Sequence, residues 1–236
     1  MTLLELDRVT RRYRQGAHER VVLCDVSLRL DAGELVAIWG LRRCGRSTLL
    51  RVAAGIEPPD SGMVRFAGQD LAGSAGNALG DGIGYCRHGS REGRGASVLD
   101  ELLLGALACG IPRRNARMRA SAALERVSAQ DCAPHGPHEL DGAEALRVAV
   151  ARALILQPAL LVIDDPVRGV DLLERDAILG LLRSLADEGI AVLISATEAT
   201  ALAGADRALS LAGGKLRGST APELATVVPL RRRASA

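Results

Sequence analysis

The sequence predicts an α/β protein built on an open, mostly parallel sheet. Apolar residues recur at helical spacing over 146–154 and indicate a helix with one buried face, which Pro158 brings to an end. The continuous apolar run 159–163 that follows is typical of a parallel strand covered on both sides, and it finishes in Asp164 and Asp165. Ligands of open α/β sheets bind at the carboxyl ends of the strands, so these acids mark a candidate site.

A phosphate-binding turn is the second observation behind this prediction. Residues 34–39 (ELVAIW) form a short apolar strand, 40–48 (GLRRCGRST) follow it, and LLRVAAG after them is helical in character. The pattern G-x-x-x-x-G-R-S-T is one residue away from the phosphate-loop motif, with Arg46 in place of its lysine. Loop amides and a helix N-terminus offer donors and a positive dipole end to an anion. The alternative is a strand-to-helix turn without a ligand, and the acid-tipped strand argues against it.

Composition narrows the class of protein. A chain of 236 residues can form one large domain or a core with a subdomain, and a net charge of +2 argues against a dedicated nucleic-acid binder. Five scattered cysteines, odd in number and without C-x-x-C pairs, indicate reduced thiols in a cytosolic protein and no zinc site. No apolar run reaches the length of a membrane span, so we expect any membrane role to come through a partner.

The other elements follow from periodicity and turn residues. Residues 3–9 and 22–30 alternate in polarity, as half-exposed antiparallel strands do. Between them, Tyr13 is expected in a polar loop, where it could stack on a base or cover the end of the small sheet. The remaining predictions are strands at 63–66, 83–86 and 190–196, helices at 97–109, 113–129, 172–186 and 198–203, a hairpin at 208–217, a flexible basic loop at 87–96, and a disordered tail at 231–236.

The order of these motifs resembles the ATP-binding cassette (ABC) family of transporter nucleotide-binding subunits over about residues 3–217. Segments 13–40 and 58–71 are most similar to the branch that serves macrolide exporters, lipoprotein release and cell-division complexes. The resemblance implies a P-loop NTPase (RecA-like) core with a mixed, mostly parallel sheet, an N-terminal antiparallel β subdomain and an inserted α-helical subdomain. It implies one domain over 1–230, with the core at 1–88 and 146–220 and the helical subdomain at about 89–145.

The resemblance also implies roles for individual residues. Tyr13 would stack on the adenine of ATP, Ser47 would ligate Mg²⁺, and Asp164 would hold that metal through water. Segment 140–144 stands where the family has the signature that closes on the nucleotide of a partner subunit, and Asp171 ends a dimer-contact loop. The implied cofactor-binding set is Tyr13, Gly40, Arg43, Gly45, Arg46, Ser47, Thr48, Asp141 and Gly142.

Several of these positions depart from the family pattern. Arginine, longer and forked, does not substitute cleanly for the lysine expected at position 46. The catalytic positions are all substituted: Asp165 replaces a glutamate that polarises water, His88 a glutamine, and Thr197 a histidine. Asp141 replaces a serine that donates to the γ-phosphate, so it brings like charge to that group. The remaining departure is Arg43 in place of a loop glycine.

These departures lead to one main hypothesis and two alternatives. The main hypothesis is an ATP-binding subunit of an ABC transporter complex that binds Mg-nucleotide and has weakened or lost hydrolysis. It would work as a homo- or heterodimer of cassettes with an integral membrane permease subunit and no nucleic acid, in the cytoplasm at the inner face of the cell membrane. The alternatives are an ordinary ATP-hydrolysing subunit that powers export, and a non-catalytic interaction protein with the cassette fold.

Overall fold

The computed structural model describes residues 2–16, 18–71, 82–87, 97–198, 202 and 204–219. Within these residues the chain forms two sheets and five α-helices, which confirms the predicted α/β class. The strands are β1 (Thr2–Gln15), β2 (His18–Asp31), β3 (Leu35–Trp39), β4 (Ser61–Phe66), β5 (Gln69–Asp70), β6 (Ile83–Arg87), β7 (Leu160–Asp164), β8 (Ala191–Ala196), β9 (Arg207–Ala212) and β10 (Lys215–Ser219). The helices are α1 (Arg46–Ala53), α2 (Val98–Ala108), α3 (Arg113–Arg126), α4 (Gly142–Leu154) and α5 (Leu172–Asp187).

The larger sheet carries the candidate site at one edge. Its strand order is β10-β9-β3-β8-β7-β6, and all neighbours are parallel except the antiparallel hairpin β9–β10. Trp39 at the end of β3 pairs with Ala196 at the end of β8, and Asp164 at the end of β7 pairs with Arg87. The turn before α1, the two aspartates and the residues after β8 therefore meet at one edge.

The smaller sheet is antiparallel, in the order β2-β1-β4-β5. The expectation that Tyr13 lies in a polar loop was wrong, because it lies in β1 and pairs with Arg20 of β2. The two strands form one hairpin that continues to the pair Gln15↔His18. Backbone pairing between the strands extends β1 beyond the apolar alternation on which the prediction relied, since a two-stranded ribbon can expose polar side chains on both faces.

Two hydrophobic clusters hold these layers together. One cluster packs the helices α2 to α5 against one side of the larger sheet, and the other packs α1 and the antiparallel sheet against the opposite side. The predicted apolar face of the helix at 146–154 is buried at Leu146, Val150 and Leu154. No helix in the described part of the chain combines the length and the apolar character needed to cross a bilayer.

Some predictions fall on residues outside those described. They are the candidate residue His88, most of the loop 87–96, most of the short helix at 198–203, and the tail 231–236.

Candidate nucleotide-binding site

The turn between β3 and α1 depends on two glycines. A Cβ atom at Gly40 would lie 2.5 Å from the carbonyl oxygen of Leu211, closer than any side chain tolerates. Gly45 has a φ of 110°, and a Cβ there would lie 2.9 Å from the carbonyl oxygen of Val22. Both positions therefore require glycine, which lets the loop fold tightly beneath the N-terminus of α1.

Arg43 occupies a backbone conformation that suits glycine. Its φ is 65°, in the left-handed region, where a side chain costs roughly 1–2 kcal/mol. Its carbonyl oxygen accepts a hydrogen bond from Nη2 of Arg20 on β2 at 3.1 Å. The loop keeps this strained turn despite the arginine, and β2 supplies one of the contacts that hold it.

A cavity of about 660 Å³ opens beside this turn at the carboxyl edge of the larger sheet. Its size lies within the range of small-molecule and cofactor sites. Five arginines and three acids line it, so the lining carries an excess of positive charge. The lining residues are Arg42, Arg43, Arg46, Ser47, Asp164, Asp165, Val167, Arg168, Gly169, Arg175, Thr197 and Glu198. Gly45 and Thr48 line an adjoining cavity of about 230 Å³, which also includes Arg43, Arg46 and Ser47.

Arg46 is the first residue of α1 and faces both cavities. Its Nη1 atom is buried and has no hydrogen-bond partner among the described residues. A buried charged donor without a partner is costly, and most such groups in native proteins are satisfied by protein, water or ligand. An anion at the helix N-terminus would satisfy this guanidinium.

The two aspartates of the site are held by hydroxyl groups of β8 and the residues after it. Ser195 Oγ donates to Asp164 Oδ1 at 2.6 Å and accepts the backbone N–H of Asp165 at 2.9 Å. Thr197 Oγ1 lies 3.2 Å and 3.3 Å from the two carboxylate oxygens of Asp165, to which it donates. Asp165 is only 8% exposed, and these two residues, both predicted at catalytic positions, are hydrogen-bonded to each other at the wall of the large cavity.

A divalent cation that arrives with a phosphate chain is compatible with these side chains. The described residues contain no cluster of three or more His, Cys, Asp or Glu side chains able to hold a metal by themselves. Mg²⁺ does not need one, because it usually keeps several waters and binds one or two protein oxygens together with substrate phosphates. The Ser47 hydroxyl and the Asp164 carboxylate line the same cavity and are oxygen donors of this kind.

Tyr13 lies next to the phosphate loop but outside the described lining of both cavities. Its hydroxyl donates to Glu57 Oε1 at 2.6 Å and lies 3.3 Å from Thr48 Oγ1. The Arg11 guanidinium lies 5.1 Å from the centroid of its ring. Tyr13 is thus a residue of β1 whose side chain contacts the end of the phosphate loop.

Asp141 and Gly142 begin α4, and neither is among the described residues that line the two cavities. The Asp141 carboxylate accepts the backbone N–H of Glu144 at 2.8 Å, and the Glu144 side chain accepts the N–H of Asp141 at 3.0 Å. This is a complete capping box. A Cβ at Gly142 would lie 3.2 Å from the carbonyl oxygen of Gly169, which places the start of α4 against the loop that lines the large cavity.

Several residues of this site were not among those predicted from the sequence. Ser195 had one detectable signal, a hydroxyl inside the otherwise apolar strand AVLISA. Arg42, Arg168 and Arg175 carry no motif, because arginine makes up nearly all of the basic residues of this chain. Only the folded arrangement brings these three arginines to one cavity.

The fold and the site together define a phosphate-loop nucleotide-binding domain. The family model described as ABC transporter matches residues 23–168. The chain belongs to the ABC transporter family and is an ATP-binding domain of that family, as the resemblance predicted.

Relatives within the family include exporter and lipoprotein-release proteins. The chain is 35% identical over 219 residues to the lipoprotein-releasing system ATP-binding protein LolD of Chromohalobacter salexigens, and the match covers 91% of this chain and 92% of that protein. It is 38% identical over 213 residues to LolD of Pseudomonas syringae pv. tomato, with 86% and 92% covered. It is 31% identical to the macrolide export ATP-binding/permease protein MacB of Salmonella typhimurium over 91% of this chain, which spans 34% of that longer protein.

Solved structures agree with this assignment. The dimeric structure of MJ0796, a bacterial ABC transporter cassette, superposes with a TM-score of 0.82 at 25% identity, and the match covers 91% of this chain and 97% of that one. The cbiO1 protein of Clostridium perfringens, part of the ABC transporter complex cbiONQ, gives a TM-score of 0.82 at 25% identity with 94% and 89% covered.

Proposed function

We propose that this chain binds Mg-ATP as the nucleotide-binding subunit of an ABC transporter complex and hydrolyses it poorly or not at all. The observation that carries the proposal is the pairing of Asp165 with Thr197. A general base must reach the water that it activates, and its misplacement costs on the order of 10²–10⁴ in rate. The carboxylate of Asp165 is one methylene shorter than that of glutamate, is nearly buried, and already accepts the Thr197 hydroxyl.

Nucleotide binding is supported by the charge of the cavity and by Arg46. The unpartnered Nη1 of Arg46 at the start of α1 can donate to a phosphate oxygen, and the other arginines of the lining add positive charge around it. Ser47 and Asp164 would hold Mg²⁺, which neutralises phosphate charge when it is bound. Asp164 already has its Oδ1 fixed by Ser195, so the orientation of this carboxylate is set before any metal arrives.

Weak closure of a cassette dimer is supported by Asp141. The carboxylate that caps α4 is itself an anion at the helix N-terminus, where the resemblance assigns the γ-phosphate of the partner's nucleotide. Two unit charges about 4 Å apart repel by about 4 kcal/mol at an effective dielectric near 20, and we take this value as an upper bound.

We also propose the assembly and the organisation of the chain. Two cassettes would pair head to tail. In a heterodimer one composite site would contain this chain's phosphate loop and the other its Asp141, and in a homodimer each site would contain both, so neither site would be intact. An integral membrane permease would hold the dimer at the cytoplasmic face of the membrane. The MacB relative is named as an ATP-binding/permease protein, which supports the permease partner, and the MJ0796 cassette is described as dimeric, which supports the pairing. The helical part would comprise about residues 89–145, inserted into a core formed by 1–88 and 146–220.

Steady-state hydrolysis over a range of Mg-ATP concentrations tests the proposal, with Asp165→Asn as the matched variant. We expect little release of phosphate from either protein. Turnover of several per second that Asp165→Asn abolishes would mean that the chain is an ordinary transporter ATPase. If neither ATP nor ADP bound at all, the chain would instead be a non-catalytic scaffold.

A further inference from the structure

Glu57, in the turn after α1, is the centre of a hydrogen-bonded cluster that joins β1 to that helix. Its Oε1 accepts from the Tyr13 hydroxyl at 2.6 Å and from Arg11 Nε at 2.9 Å, while its Oε2 accepts from Arg51 Nε at 3.0 Å. The carboxylate side chain is only 15% exposed. Burial acts to raise the pKa of Glu57, but hydrogen bonds from Tyr13, Arg51 and Arg11 outweigh it and hold that pKa below the ordinary value. The cluster is therefore organised around an ionised carboxylate.

The same cluster connects Tyr13 to the phosphate loop. Because the Tyr13 hydroxyl donates to Glu57, its oxygen is free to accept from Arg51 Nη2, which lies 3.2 Å away. Arg51 Nη2 also lies 3.4 Å from Thr48 Oγ1, and that hydroxyl is 3.3 Å from the tyrosine oxygen. Thr48 is 7% exposed and stands at the end of the loop motif. The contacts close a ring through Tyr13, Glu57, Arg51 and Thr48.

The position of Tyr13 needs this support because the backbone gives little. The pairing of β1 with β4 ends at Thr10↔Ser61, and beyond that pair the only described strand that pairs with β1 is β2. One further backbone contact is the Arg12 N–H, which donates to Asp60 Oδ2. A two-stranded ribbon is marginally stable by itself. Arg11, on the same ribbon, places its guanidinium 5.1 Å from the centre of the Tyr13 ring and is itself held by Glu57. The orientation of the ring relative to α1 therefore depends on Glu57.

We propose that Glu57 is a positioning residue for recognition of the nucleobase. It fixes the Tyr13 ring at a set distance from Thr48, so that an aromatic base can stack on the ring while its phosphate chain lies along the loop. This inference rests on the proposed nucleotide binding and adds to it a link between base recognition and phosphate recognition. The ligand class is a base that carries a phosphate chain, as distinct from a bare polyphosphate.

The test compares ATP with inorganic tripolyphosphate, which has the phosphate chain and no base. Kd values for both ligands are measured by isothermal titration for the unmodified chain, Glu57→Ala and Glu57→Gln. Stacking of one base on an aromatic side chain corresponds to roughly 5- to 150-fold in Kd. We expect Glu57→Ala to weaken ATP binding by about 5-fold or more, within that range, and to leave tripolyphosphate binding within about 2-fold. Glutamine keeps an acceptor oxygen for the tyrosine hydroxyl, so Glu57→Gln should recover most of the ATP affinity.

Asp60 provides a matched control in the same part of the fold. Its carboxylate accepts from Arg11 Nη1 at 3.1 Å and from the backbone N–H of Arg12 at 2.6 Å. None of its hydrogen bonds or ion pairs in the described structure involves Tyr13 or Arg51. Asp60→Ala should therefore leave the ratio of the two Kd values unchanged, even if it lowers the unfolding temperature as much as Glu57→Ala does.

A double-mutant cycle separates positioning from general destabilisation. Tyr13→Phe keeps the ring and removes the hydroxyl, so the double variant with Glu57→Ala should bind ATP no more weakly than Glu57→Ala does. Three results would each overturn the inference. Glu57→Ala could weaken the binding of both ligands equally, or leave ATP binding unchanged. Asp60→Ala could change the ratio of the two Kd values as much as Glu57→Ala does. Equal affinity of the unmodified chain for both ligands would overturn it and leave the phosphate site intact. Binding of neither ligand would overturn the proposed function as well.

Discussion

Replacing Asp141 with serine should strengthen the ATP-dependent pairing of two cassettes. The carboxylate of Asp141 accepts the N–H of Glu144 and caps α4. Serine and asparagine cap helices about as well as aspartate, so Asp141→Ser and Asp141→Asn should change the free energy of unfolding by only a few tenths of a kcal/mol. Both substitutions remove one negative charge from the position that would face the γ-phosphate of the partner's nucleotide.

The size of the effect follows from Coulomb's law. Repulsion between the carboxylate and a phosphate charge about 4 Å away is at most about 4 kcal/mol at an effective dielectric near 20. Solvent screening reduces this value because Asp141 is exposed in the single chain. Even half of it, about 2 kcal/mol, corresponds to roughly 30-fold in the dimer dissociation constant.

Sedimentation velocity with and without Mg-ATP measures this change directly. We expect the unmodified chain to remain mostly monomeric at concentrations where the two neutral variants form dimers, and the difference to appear only with nucleotide. Thermal unfolding of the three proteins checks that the cap is preserved. Repulsion by Asp141 is refuted if both neutral variants dimerise no more tightly than the unmodified chain, or if they dimerise equally well without nucleotide.

Three further predictions concern the same edge of the sheet. Arg46→Ala should weaken the binding of ATP and of tripolyphosphate alike, by roughly 10- to 150-fold, because it removes a charge-assisted donor. Calorimetric titration measures both Kd values, and an unchanged Kd for either ligand would contradict this prediction. Ser195→Ala should lower the free energy of unfolding by about 1–3 kcal/mol, because it leaves the backbone N–H of Asp165 and the carboxylate of Asp164 without their hydroxyl partner. Denaturant titration measures this loss against Ser184→Ala, a serine on the exposed face of α5. Burial raises the pKa of the Cys86 thiol to about 12 from an ordinary value of 9, so the fold favours the neutral thiol. The contribution of this thiol to the free energy of unfolding is therefore present in full below pH 9, and it is lost between pH 9 and 12 by at most about 1.4 kcal/mol per pH unit. In denaturant titrations across this range, the free energy of unfolding of Cys86→Ala should decline less steeply with pH than that of the unmodified chain.

Periodicity predicted most of the sheet and helix framework correctly. The run 159–163 is a strand buried between neighbours on both sides, because a parallel strand with both faces covered has only apolar positions. The alternation over 22–30 matches β2, and Gly213-Gly214 forms the turn between β9 and β10. These patterns depend on burial and on residues that are close in the chain, so they can be predicted from the sequence alone.

The ends of the elements and the side-chain partners depended on long-range contacts. The extension of β1 through Tyr13 comes from pairing with β2, and the polar segment gives no local sign of it. Asp141 was predicted only as a charge beside a nucleotide, and the structure adds its reciprocal hydrogen bonds with Glu144. The pattern D-x-x-E before an apolar run does indicate a capping box. The cluster around Glu57 joins residues separated by up to 46 positions, which no spacing rule connects.

The nucleotide recovered from the protein after incubation gives the most direct test of an intact binding site without effective cleavage. The purified chain is mixed with excess ATP and Mg²⁺, held for several hours, separated from free nucleotide and denatured, and the released nucleotide is identified by chromatography. We predict that nearly all of it is ATP, in an amount approaching one molecule per chain. Recovery of mainly ADP with matching free phosphate would show a working hydrolase, and recovery of no nucleotide would show that the cavity does not hold the ligand; either result contradicts our account.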